Sequence, residues 1–64
     1  MALENLIAGP ACTEDDCPQI GLATDGMVDV QGYIQSQITT PDGEAVVRIP
    51  AELIMEAARA LGRQ

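Results

Sequence analysis

Gln19-Ile20-Gly21-Leu22-Ala23-Thr24-Asp25-Gly26-Met27-Val28-Asp29-Val30-Gln31-Gly32-Tyr33-Ile34-Gln35 is the stretch that decides the fold. Asp25-Gly26 stands between two apolar runs, a strong hairpin signal. Before it, residues 19 to 23 suit a short strand with Ile20 and Leu22 on one face. After it comes the clearest strand in the chain. Val28, Val30 and Ile34 share one parity, and Asp29, Gln31, Tyr33 and Gln35 take the other. Gly32 falls on the inward parity, where a glycine marks a bulge or the close approach of another backbone. The pattern allows this strand to continue through Ser36 to Ile38.

Working outward, Thr40-Pro41-Asp42-Gly43 is a second turn, and Glu44 to Ile49 alternates again. In that run Ala45, Val47 and Ile49 read as inward, and Glu44, Val46 and Arg48 as outward. Pro50 stops the strand and suits a helix start. Ala51 to Leu61 is a run of good helix formers with an apolar stripe of Leu53, Ile54, Ala57, Ala58 and Leu61. Glu52 near its start and Arg59 and Arg63 near its end suit the helix dipole. Gly62 is a natural stop. Toward the N-terminus, Leu3, Leu6 and Ile7 are spaced for a short helix or turn, ended by Gly9-Pro10. Residues 10 to 18 read as a polar acidic loop in which Pro18 biases Cys17 toward extended backbone. The expectation is an α+β fold in one domain spanning residues 1–64. It has an N-terminal segment and acidic loop (1–18), a three-stranded antiparallel meander (19–49), and a helix on one face (50–62).

The chain has 64 residues, enough for one domain. Such a domain buries only about 60% of its unfolded surface. Apolar burial and the entropy of ordering nearly cancel at this size, so small domains add a disulfide, a metal or a second chain. A second chain, a copy or a different protein, is the expected staple here. The net charge is −7, from ten acids against three arginines with no lysine. That field disfavours direct nucleic-acid binding and anionic membranes, and favours basic partners. The start of the chain lacks the basic and apolar regions of a secretory leader, and no run approaches a membrane span. The expected location is therefore cytoplasmic.

Cys12 and Cys17, separated by four residues, form the sole cysteine pair, and histidine is absent. Zinc needs four nitrogen or sulfur ligands, and this pair supplies two. Free thiols are the favoured reading, with a disulfide or a metal site as alternatives. Glu14, Asp15 and Asp16 are adjacent rather than alternating as calcium loops require. With Asp25 and Asp29 they form either a solvated face or a surface for a basic partner. Nothing resembles a nucleophile motif or a phosphate loop, and a domain this small rarely encloses a catalytic cleft. No enzymatic activity and no cofactor are expected. Tyr33, the one aromatic residue, is a candidate interface anchor. The alanine-rich helix is read first as core and second as a dimer contact.

Residues 43–53, Gly-Glu-Ala-Val-Val-Arg-Ile-Pro-Ala-Glu-Leu, resemble the strand–Ile-Pro–helix segment of AbrB-type and MazE-type swapped-hairpin antitoxins. That family continues with further strands and carries basic DNA-contacting residues, of which this chain has only Arg48. Cys17-Pro18, Asp25-Gly26, Val30-Gln31-Gly32-Tyr33, Gly43-Glu44 and Val47 through Ile49-Pro50 resemble short uncharacterised actinomycete proteins encoded beside helix-turn-helix regulators. That second resemblance implies a regulatory protein partner. The leading expectation is a small acidic regulatory protein, dimeric in one reading, that binds a basic protein such as a helix-turn-helix transcription factor. Glu14, Asp15, Asp16, Asp25 and Asp29 would steer it, and Tyr33 would anchor it. The alternatives are a structural metal-binding module on Cys12 and Cys17, or an antitoxin-like DNA-binding dimer.

Overall fold

The computed structural model describes residues 3–9 and 17–62. The described elements are β1 (Leu6–Ala8), β2 (Gln19–Leu22), β3 (Val28–Gln31), β4 (Tyr33–Ile34), β5 (Val47–Arg48) and α1 (Ala51–Gly62). β1, β2 and β3 form an antiparallel sheet in sequential order, and β4 and β5 form a separate two-stranded ribbon. The fold is α+β, a three-stranded antiparallel meander with a C-terminal helix against it.

The hairpin forms where Asp25-Gly26 places it. Both residues have positive φ, 59° and 76°, as a tight turn matched to strand twist requires. The Met27 N–H donates to the Thr24 carbonyl, and the Ala23 N–H donates to the Met27 carbonyl. β2 and β3 then pair residue for residue, Ile20 beside Val30 and Leu22 beside Val28.

The first strand of this sheet comes from residues whose spacing suggested a short helix. Asn5 takes a left-handed φ of 54°, which interrupts any helix through Leu3 to Ile7. Its carbonyl accepts from the Leu22 N–H at 2.9 Å. Gly21 makes room for that segment, because a Cβ there would lie 2.6 Å from the Glu4 carbonyl oxygen. The edge partner of β2 is thus admitted by a glycine on β2.

Residues 28–34 run as one stretch that changes partner at Gly32, from β2 to β5. A Cβ at Gly32 would lie 2.8 Å from the Arg48 carbonyl oxygen and 2.6 Å from Ile49 Cγ2. The close approach expected of this glycine is therefore the return of the chain into α1. The strand does not continue through Ser36. A turn closed by the Ile38 N–H to the Gln35 carbonyl ends it. The proline turn closes one residue later than expected, from the Glu44 N–H to the Pro41 carbonyl, with Gly43 at φ 86°. Pairing in the expected strand 44–49 is limited to Val47 and Arg48 plus a bond from the Gln35 N–H to the Val46 carbonyl.

The core is small. Ala8, Ile20, Leu53 and Ala57 are buried, with Ile7 and Ile49 packed against them. The helix rests mainly on β1 and β2. Val28 and Val30 lie on the same face as Ile20 and Leu22, the face their parity assigns. The helix does not cover them, and they are 40% and 41% exposed. The radius of gyration is 12.3 Å, against about 10.7 Å for a compact domain of this length. No helix among the described residues is long and apolar enough to cross a membrane.

Candidate protein-docking surface

The turn that the Asp25-Gly26 pair makes does more than reverse the chain. It carries Thr24 to the rim of an open groove of about 590 Å³, lined by Leu3, Glu4, Asn5, Leu22, Ala23, Thr24 and Asp29. The pairing of β1 with β2 brings Glu4 and Asn5 into the groove that Asp29 also lines. Among the described residues, two carboxylates and no basic residue line this groove. Asp25 is exposed in the adjoining turn. Side-chain oxygens of Glu4, Asn5, Thr24 and Asp29 suit a guanidinium or ammonium head. The leucines and Ala23 give its aliphatic stem an apolar wall.

Asp29 is therefore the sequence candidate that the structure places in a groove, with Asp25 at its edge. Glu4 was missed, because the expected N-terminal helix gave it no relation to Asp29. Only the pairing through Gly21 creates that relation. Glu14, Asp15, Asp16 and Cys12 lie outside the described residues.

Tyr33 does not line this groove. It sits on β4, 58% exposed, beside Ile34 at 68%. Arg48 is its cross-strand partner and Val47 is that of Ile34. Partners across an antiparallel pair share a face, so Ile34 and Val47 form an exposed apolar pair on one side of the ribbon. Tyr33 and Arg48 occupy the other. Gln35 Nε2 donates to the Tyr33 carbonyl at 2.9 Å. The structure thus divides the sequence candidates between an acidic groove and an aromatic-bearing ribbon.

The favoured reading of free thiols is overturned at Cys17, which is disulfide-bonded. Cys12 is the only other cysteine in the chain. The Cys17 carbonyl accepts from Gln31 Nε2 at 2.8 Å, which ties the bonded segment to the end of β3. In this state the Cys17 sulfur is not a thiolate and cannot serve a zinc centre. Among the described residues no group of three or more His, Cys, Asp or Glu side chains is placed to hold a metal ion. Gln19, opposite Gln31 on β2, is buried, and its Oε1 has no hydrogen-bond partner.

The last surface is α1. Leu53 and Ala57 face the sheet, whereas Ile54, Met55 and Leu61 are exposed. Glu52, Glu56 and Arg59 line a second groove with Gly9, Pro18 and Pro50. That charged flank therefore borders the ends of β1 and β2, and the Ile54–Leu61 flank points away from it. Comparison with protein-family models, curated proteins and solved structures finds no match.

Proposed function

We propose that this chain is a small, non-enzymatic regulatory protein that binds a basic protein partner, such as a helix-turn-helix transcription factor. The observation that carries the reading is the groove lined by Glu4 and Asp29, open to solvent and without a basic residue among the described residues, in a chain of net charge −7. A lysine or arginine side chain would enter it head first, with its stem along Leu3 and Leu22. Asp25, and Glu14, Asp15 and Asp16 of the acidic loop, would raise the encounter rate, an effect that salt screens. Tyr33 would anchor the partner at a separate place on the ribbon, and the Ile34–Val47 pair would add apolar area there. A cytoplasmic location belongs to this reading, with the Cys17 bond then exposed to a reducing environment.

The test is a tagged purification from nuclease-treated lysate, followed by association kinetics on the protein recovered. Asp25→Lys with Asp29→Lys should slow association at least about tenfold at low salt, since steering accounts for roughly 10–10³ in on-rate. An unchanged on-rate would remove the groove from the mechanism. Tyr33→Ala should act on dissociation instead. Because groove and ribbon are separate, the two effects should add.

A further inference from the structure

We propose that the uncharged flank of α1 is a contact for a second copy of this chain, helix against helix in antiparallel sense about a twofold axis. At about 100° per residue, Glu52, Glu56 and Arg59 occupy an arc of about 60°. Ile54, Ala58 and Leu61 with Ala51 and Met55 span about 120° on another side of the helix, with no charge among them. The sheet covers neither arc, because Leu53 and Ala57 are the buried residues of α1. Ile54 is 56% exposed and Leu61 is 42% exposed. An amphipathic helix that packed only on its own sheet would not need this second apolar face.

Two observations select a copy of the chain as the occupant. First, a chain of charge −7 repels itself, and a face without carboxylates is where two copies approach at least cost. A basic partner would find no acid on that flank to pair with, unlike in the groove. Second, α1 is acidic in its first turn, at Glu52, and basic in its last, at Arg59. An antiparallel pair sets the acidic half of each helix toward the basic end of the other and opposes their dipoles. A closed twofold contact uses one patch twice, so this match comes with the symmetry. Ala58, between Ile54 and Leu61, lets the axes approach to the near end of the usual ~8–10 Å range.

This inference does not depend on the basic partner, and salt separates the two. Groove binding weakens as salt rises, whereas self-association of acidic chains tightens when repulsion is screened. Sedimentation of the wild-type protein at submillimolar concentration should give twice the chain mass of 6.7 kDa, with a dissociation constant that falls as salt is raised. Ile54→Glu should weaken the dimer roughly a hundredfold or more, as expected for an unpaired charge in a dry contact. Its circular dichroism should match wild type, because Ile54 is already half exposed. If Ile54→Glu loses structure, Ala58→Glu gives the same reading from an exposed position. A wild-type protein that stays monomeric at every salt concentration would overturn the proposal. So would a dimer that survives both substitutions.

Discussion

Ile20 and Ile34 belong to stretches joined by a single hairpin, yet one is 2% exposed and the other 68%. Ile20 lies between Ala8 on β1 and Val30 on β3, beneath the helix. Ile34 lies on a two-residue strand whose only partner strand is β5. The difference arises at Gly32, where the chain leaves one sheet for the other. The β1–β3 sheet with α1 forms a closed half that holds the core. The β4–β5 ribbon forms an open half whose apolar side chains face solvent. A small chain can hold its shape with the first, which also carries the acidic groove, and offer the apolar surface of the second as an anchor for a partner. The open residues are too many and too large to be stray surface hydrophobics: Tyr33, Ile34, Ile38 and Val47 fall within one segment.

That contrast can be broken from the closed side first. Leu53→Ala should cost about 2–5 kcal/mol, the usual range for emptying a buried leucine site. In a domain of marginal stability this should abolish the cooperative thermal transition in circular dichroism. The junction comes next. Gly32→Ala would place a Cβ 2.8 Å from the Arg48 carbonyl oxygen. It should cost up to about 3 kcal/mol as the backbone shifts to relieve overlap, and hydrogen exchange should show faster amides in β5 before β2. Reduction of the Cys17 bond should cost about 2–4 kcal/mol, the usual range for a disulfide. Denaturant titration with and without reductant measures it. The smallest effect on stability belongs to the open half. Ile34→Ser should change stability by no more than about 0.5 kcal/mol, and partner affinity should fall more than stability does. A large stability loss at Ile34 would erase the distinction between the halves.

The parts legible in the sequence are those governed by local chemistry. Asp25-Gly26 turned the chain as two residues of positive φ do. The helix from Ala51 was set by its helix formers and by Pro50 before it. The parity of Val28 and Val30 correctly named the helix-side face, but parity says nothing about how far a helix reaches. Their exposure follows from α1 resting on β1 and β2. The first strand was hidden because its cause is tertiary. Leu3, Leu6 and Ile7 carry a helical spacing, and only Gly21, distant in sequence, offers the gap that draws residues 6–8 into the sheet. For the same reason Glu4 was absent from the candidate acids while Asp29 was present. The bond at Cys17 was underweighted because compartment, not spacing, guided that reading.

The central claim is that the Glu4–Asp29 groove receives a basic protein segment. Chemical-shift mapping of the labelled chain, titrated at low salt with an arginine-rich helical peptide, tests it most directly. The account predicts shifts concentrated at Glu4, Asn5 and the Thr24–Asp29 turn, fading as salt is raised. No shifts at low salt, or shifts confined to α1 and indifferent to salt, would contradict it.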